Sequence, residues 1–483
     1  MTSLKNTIFA IVFLGVFSCE KVEEIQVETI PKQEIFPEIV IPETNTLGVL
    51  KKTDGAYEGF TLFPSNKNVF LINNCGEVIN HWVSDFDRGG GVYLLEDGSI
   101  LRAGKIENEN ISIGGIGGII EHFDWYGNLV WSYKYSDENV SQHHDLYPLP
   151  NGNILLLVAE KKSKTEAIHK GRNPVLLEDD EIYTEQVIEV KPVGFDNAEI
   201  VWKWDIWDHL IQDFDNTKSN FGVVKNNPQL LNVNYVTVEG VGKKDWLHFN
   251  AMQYNKELNQ ILLSSQALSE IYIIDHSTTI QEAKSHSGGL AGKGGDILYR
   301  WGNPRVYGTD ENQILFGQHY PNWMPYGENK GKIIMFNNGL GRDQNFSSVD
   351  IINPPISISN TYKMPNINES FLPRNTEWTY TDPTDNLNFY SRIISSAEQL
   401  PNGNILICEG TKGHLFEINE NKEIVWSYIN PDSANGVLQQ GENPTSNSIF
   451  RAKKYSVNYL AFKDKDITPK TPIELNYNLG NCN

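Results

Sequence analysis

Apolar residues along this chain come in short runs, each broken by a turn of Gly, Asn or Asp, and the runs recur in two forms. One form is a turn followed by an apolar stretch: EDGSILRA from Glu96, PNGNILLL from Pro150, NKELNQILLSS from Asn255, NKGKIIMF from Asn329 and PNGNILIC from Pro401. The other is a turn followed by a strand carrying tryptophan or tyrosine: GEVINHW from Gly76, GNLVWSY from Gly127, AEIVWKW from Ala198, GDILYRW from Gly295, TEWTY from Thr376 and NKEIVWSY from Asn421. Short strands joined by Asn-Gly and Asp-Gly turns are hairpins, and a hairpin unit repeated along a whole chain predicts an all-β propeller.

The aromatic strands count six units, at about 56–85, 91–135, 143–207, 246–305, 317–382 and 391–431. A large ring at one place in every unit predicts a packing role, filling the wedge between neighbouring blades. The first unit is short of a strand, and a strand-like stretch, SNSIFRAKKYSVNYLAF from Ser446, ends the chain. The expectation is a six-bladed β-propeller over 51–483, with the C-terminal strand pairing with the first blade and closing the ring. No amphipathic helical periodicity of useful length appears, which argues against an α/β fold.

The N-terminus follows a different pattern. An apolar run from Ile8 to Phe17 after Lys5 has the layout of a secretory signal and is too short to span a bilayer as a helix. Val16, Phe17, Ser18 and Cys19 are similar to a bacterial lipoprotein cleavage box. The expectation is a signal peptide over 1–18, a lipid on Cys19 and an acidic linker over 19–50, which places the protein in the periplasm or at the outer membrane, anchored by that lipid alone.

Lys5 is the only basic residue of the signal segment, so its removal moves the net charge from −21 to −22. Such a surface repels nucleic acid and anionic membranes, and an anionic substrate requires a locally positive pocket. Of the four cysteines, Cys75, Cys408 and Cys482 lie beyond the leader, with no CxxC pair. A structural zinc site is not expected. An exported location permits a Cys75–Cys482 bond, and three unpaired thiols are the alternative.

Candidate chemistry lies where the first strand of a blade begins. Gln142-His143-His144-Asp145 opens the third unit, Asp245-Trp246-Leu247-His248-Phe249-Asn250 the fourth, and Gly317-Gln318-His319-Tyr320 the fifth. Histidines at equivalent positions of consecutive blades are predicted to point into one funnel, as an active site requires. Three such rings also suit zinc or copper, although Asp145 is the only carboxylate in phase with them. His81, His122, His169, His209, His276, His286 and His414 fall outside the phase and read as solvated or structural.

The segments HHDLYPLPNGNILLL, DWLHFNAM followed by ILLSS, GDILYRWG and GQHYPNW together resemble the bacterial arylsulfate sulfotransferases over most of residues 91 to 430. That resemblance implies a periplasmic six-bladed propeller that moves a sulfuryl group from an aryl sulfate to a phenol without a nucleotide cofactor. It assigns His319 as the nucleophile and His144 and His248 as histidines lining the sulfate site. His143, Asn250 and Gln266 are the further candidate substrate contacts, and no metal or other cofactor is expected. An imidazole is nucleophilic while neutral near pH 7, and protonated neighbours balance charge on sulfuryl oxygens.

This chain departs from the family pattern at Ser264-Ser265-Gln266, where the family carries an arginine after Ser-Ser. Gln266 donates hydrogen bonds but brings no charge. Arg300, Arg305, Arg342 and Arg392 are the candidates to replace it, and Trp246, Phe249, Tyr320 and Trp323 are candidate stacking surfaces whose other role is blade packing. The missing arginine also leaves a second reading: a non-catalytic propeller binding an anion or a partner protein.

Overall fold

The computed structural model describes residues 44–237, 243–357 and 360–482. The signal segment, Cys19 and most of the expected linker lie outside these residues. Six antiparallel sheets of four or five strands make a six-bladed β-propeller, with two short α-helices, Lys164–His169 and Ile280–Ala283. We number the blades I to VI by the order of their aromatic outer strands: Val78–Val83, Leu129–Lys134, Asn197–Asp205, Tyr299–Trp301, Trp378–Tyr380 and Ile424–Ile429.

The chain termini contribute to two different blades. Lys453–Ser456 pairs with Gly59–Ser65, so the C-terminal strand supplies the missing strand of blade I. At the other end, Gly48–Lys52 pairs with Ile424–Ile429 and becomes a fifth strand of blade VI. The last residues assigned to the linker, 48–50, therefore belong to the folded body, because an added strand satisfies backbone groups on the outer edge of blade VI. Cys75 and Cys482 form a disulfide, with Cα atoms 5.5 Å apart, while Cys408 is a buried free thiol.

The repeated aromatic residue does more than fill a wedge. The indole N–H of Trp82 donates to Asp124 O in blade II, and Trp131 donates to Asn197 O in blade III. Trp204 reaches Gly295 O beside blade IV, Trp301 reaches Pro373 O beside blade V, and Trp426 of blade VI reaches Asn74 O of blade I. Trp378 of blade V is instead covered by Lys422 of blade VI, 5.0 Å from its ring. Each tryptophan thus ties one blade to the next by a polar contact as well as by area.

The apolar core is divided into layers between blades. Leu62 and Val69 of blade I meet Val92 and Ile100 of blade II; Phe63 and Phe70 of blade I meet Trp426 and Tyr428 of blade VI. The largest layer joins blades III and IV, with Leu155, Val187, Trp204, Met252, Leu263 and Tyr272. These layers hold rigid the inner strands that carry the candidate histidines.

Candidate active site

The inner strand of each blade from II to V is irregular where it leaves the channel. Its pairing with the next strand shifts between Arg88 and Val92, opposite Leu156–Val158, between Phe249 and Ala251, and between His319 and Asn322. An extra residue of this kind bends the strand and re-aims a side chain, and such bulges gather beside active sites. His144 and His248 are themselves left-handed residues, at φ 50° and 46°.

In blade V the left-handed residue is Tyr320, at φ 49°, and not His319. Asn250 and Asn322, each two residues further on, both donate from Nδ2 to a carbonyl of the following blade, Gln318 O and Ala397 O, at 2.8 Å. Blade V therefore matches blade IV with Tyr320 against His248, and His319 stands one residue earlier, at the place of Leu247. The expectation of three equivalent positions is corrected by this offset. The rings still meet: His144 and His248 have centroids 4.7 Å apart, and charge on His319 acts on His144 as charge on His248 acts on His319.

His319 is held from two sides. Its Nδ1 lies 2.8 Å from Asn338 Oδ1 and 3.1 Å from Gly317 O, both acceptors, so Nδ1 carries the proton. Asn338 cannot present its nitrogen instead, because Nδ2 donates to Ser391 O at 2.7 Å and Ile394 O at 2.9 Å. Nε2 keeps its lone pair and accepts the backbone N–H of Ile394 at 3.1 Å. Burial lowers the titration of His319 to about 4, against the opposing Asn338 contact and with a further push from His248.

The neighbouring histidines are set differently. Burial pulls His248 down, but Asp245, 2.6 Å from its Nδ1, outweighs that with help from Glu185, and His248 titrates above its ordinary value. Burial first, then the charges of His248, His143 and His319, hold His144 well below its ordinary value. His143 lies behind it, fully buried, with Nε2 2.8 Å from Glu185 Oε2 and Nδ1 2.8 Å from His144 Nδ1. Both ring nitrogens of His143 are engaged, so it orients His144 and has no face for a substrate. Asn250 is likewise buried, its amide nitrogen on Gln318 O and its Oδ1 without a protein partner.

A cleft of about 490 Å³ opens over His248, lined by Asp245, Gln266, Phe316, Leu340 and Lys243 among others. Gln266 stands at its wall, while His144 and His319 are buried and outside its lining. None of the four candidate arginines lines it. Arg300 is buried against Glu270, Arg342 reaches Phe346 O and Ser348 Oγ at 2.9 Å, and Arg305 and Arg392 are exposed and outside the cleft lining. The lysine in the cleft is Lys243, which the reading of the sequence missed because it lies in no repeat.

The stacking surface also differs from expectation. Trp246 and Phe249 are buried in the layer between blades III and IV, Tyr320 lies under Arg451, and Trp323 faces another groove. Phe316 is the aromatic ring of the cleft. Asp145 is not available to a metal, since it pairs with Arg451 at 2.5 and 3.0 Å and accepts the N–H of Met252 at 3.0 Å. Gly114 and Gly115 cross close to the histidines: a Cβ on Gly115 would lie 2.3 Å from the His144 ring, and one on Gly114 2.7 Å from His248 Cε1. Their signal in the sequence was the two glycine pairs, Gly114-Gly115 and Gly117-Gly118.

Residues 49–458 match the family model described as Arylsulfotransferase (ASST). No curated protein matches the chain. Among solved structures, a Bacteroides caccae protein of unknown function is similar at 12% identity and a TM-score of 0.43, covering 82% of this chain and 98% of its own. A putative 6-phosphogluconolactonase from Bacteroides fragilis is similar at 10% identity and 0.36, covering 84% and 99%. A virginiamycin B lyase from Staphylococcus aureus is similar at 10% and 0.35, covering 79% and 88%. These scores carry no information on chemistry.

Proposed function

Since the chain belongs to the arylsulfotransferase family, as the match over residues 49–458 shows, we propose that it transfers a sulfuryl group from an aryl sulfate to a phenolic acceptor through a sulfohistidine on His319. The observation that carries this reading is the tautomer of His319: Asn338 holds Nδ1–H, and Nε2 keeps a lone pair at any pH above about 4. A neutral, oriented imidazole nitrogen is an activated nucleophile.

In the first step the Ile394 N–H gives up Nε2, whose lone pair attacks sulfur, the sulfur–oxygen bond to the ring breaks, and its electron pair leaves with the aryl oxygen. His248, oriented by Asp245 on Nδ1, is the proton donor to that oxygen through Nε2, and its raised titration suits an acid near neutral pH. In the second step the acceptor phenol returns a proton to His248, its oxygen attacks sulfur, and the nitrogen–sulfur bond breaks back onto Nε2. His144 donates to a sulfuryl oxygen from Nε2 when the contact between its Nδ1 and Nδ1 of His143 is donated from His143. Gln266 adds an uncharged donor, Lys243 the charge, and Phe316 a surface for the ring.

The exported, lipid-anchored location expected from the N-terminus is part of the same proposal, since aryl sulfates and phenols in the periplasm are reached without a nucleotide donor. The test uses 4-nitrophenyl sulfate with the purified chain, with and without phenol, beside His319→Ala. Phenol-dependent nitrophenolate release, lost in the variant, together with one SO3 added to a His319 peptide, is the expected result. Saturable binding of the aryl sulfate with no release by the folded protein would replace this reading with the anion-binding propeller.

A further inference from the structure

A second cluster of imidazoles lies outside the cleft, between blades III and IV. His209 ends the short 3-10 turn Ile206–Asp208 that follows the last strand of blade III. It is fully buried, and its ring lies parallel to Trp204 with centroids 6.1 Å apart. Asp296, also buried, lies on the loop that leads to the last strand of blade IV, and His286 stands exposed on the same loop. Nδ1 of His209 is 2.8 Å and Nδ1 of His286 2.7 Å from one oxygen, Asp296 Oδ1.

The opposite edge of His209 decides what this means. Its Nε2 lies 2.8 Å from Ala283 O, and a carbonyl only accepts, so Nε2 carries the proton. Nδ1 of His209 then faces the Asp296 oxygen with either a second proton or a metal ion between the two. The geometry calls for positive charge at that point, and His286 aims its own Nδ1 at the same place. An imidazole whose far N–H is fixed by a backbone carbonyl is the usual outer support of a metal ligand.

We propose that Nδ1 of His209, Nδ1 of His286 and the Asp296 carboxylate bind one divalent transition-metal ion of the zinc type, clipping the loop of blade IV to the exit of blade III. The donor atoms all lie within 4.8 Å of one another. Zinc ligands at about 2.0–2.1 Å from one ion stand about 2.9–3.4 Å apart, so the two contacts to Asp296 open slightly while exposed His286 swings to bring its Nδ1 to that spacing from His209. Two imidazoles and a carboxylate favour zinc, copper or nickel over magnesium or calcium. The exposed side leaves room for water to complete the shell.

Gly295 fits the same scheme. A Cβ there would lie 2.0 Å from Ala283 O and 2.5 Å from His209 Nε2, so only glycine lets the loop close over this pair. The carbonyl of Gly295 accepts the indole N–H of Trp204, which ties the same loop to blade III a second time. His209 and Asp296 are 87 residues apart in sequence, which is why no ligand spacing was legible.

The test titrates zinc chloride into the full chain after EDTA and dialysis, beside His286→Ala and Asp296→Asn, with bound metal and melting temperature as readouts. His286 is exposed, so its alanine variant folds. The expected result is one more zinc per chain in the wild type than in His286→Ala, at least tenfold tighter than any residual binding there. Zinc raises the melting temperature of the wild type only. Equal zinc content and equal melting in wild type and His286→Ala would overturn the proposal, including the case in which zinc binds the channel histidines in both.

Discussion

The backbone N–H of Ile394 caps Nε2 of His319 at 3.1 Å, and Ile394 makes that contact from a left-handed backbone at φ 52°. A β-branched residue pays heavily for this conformation, about 1–2 kcal/mol, and Ser395 beside it is also at positive φ, 92°. Asn338 holds both partners, accepting from His319 and donating to Ile394 O. A strained segment fixed against a buried imidazole is a pre-organised contact. In the proposed transfer, the same N–H is freed to donate to a sulfuryl oxygen on Nε2.

Asn338→Leu therefore has two effects. It leaves the carbonyls of Ser391 and Ile394 without their donor, which costs about 1–3 kcal/mol of stability in a denaturant titration. It also frees the His319 ring to change tautomer, and kcat for nitrophenyl sulfate falls at least tenfold. Asn338→Asp puts a carboxylate beside Nδ1, so the acid limb of the pH–rate profile moves to higher pH.

The pH dependence of the wild type follows from the same groups. His319 titrates at about 4 in the folded chain and near 6.5 unfolded. The unfolded chain binds the extra proton between those values, so this group makes stability fall as pH drops from about 6.5 to 4, by on the order of 3 kcal/mol. It contributes no change above that window. His248, raised, acts in the opposite sense: its contribution is complete below its unfolded value and is lost as pH rises through its folded one. Melting temperatures between pH 4 and 7 check the first, and the basic limb of kcat, displaced above 6.5 and lost in His248→Gln, checks the second.

Gly115→Ala tests the close crossing over His144. Gly115 is at φ 64°, and its carbonyl accepts the N–H of His144 at 2.7 Å. A methyl group meets the imidazole within 2.5 Å, so the ring is displaced and the backbone strained. Stability falls by about 1–2 kcal/mol in a thermal melt, and kcat/KM falls at least tenfold.

Arg451→Met leaves Asp145 buried without its partner in the channel. Arg451 lies 4.3 Å from the ring of Tyr320, and although burial pulls its titration down, the charge of Asp145 and its hydrogen bond lead the contacts that raise it above the ordinary value. Loss of one member of a buried pair costs about 3–5 kcal/mol. The denaturation midpoint drops accordingly, and the double variant Arg451→Met with Asp145→Leu recovers much of the loss.

The architecture was legible because it is written locally: a turn, an apolar strand and a tryptophan repeat in order, and a period survives without knowledge of what each strand touches. The phase of His144, His248 and His319 was legible for the same reason, to within one residue. A bulge is a property of two paired strands, so the offset that sets His319 at the place of Leu247 appears only when Tyr320 and Asn322 are seen against blade VI. Partners at long range were not legible either. Asn338 fixes the His319 ring from 19 residues away and Ile394 from 75, while Arg451 takes Asp145 from 306 residues away. The sequence by itself determined the repeat and the candidate rings; which nitrogen of His319 keeps its lone pair, and which cations were already engaged, were decided by contacts that only the assembled blades create.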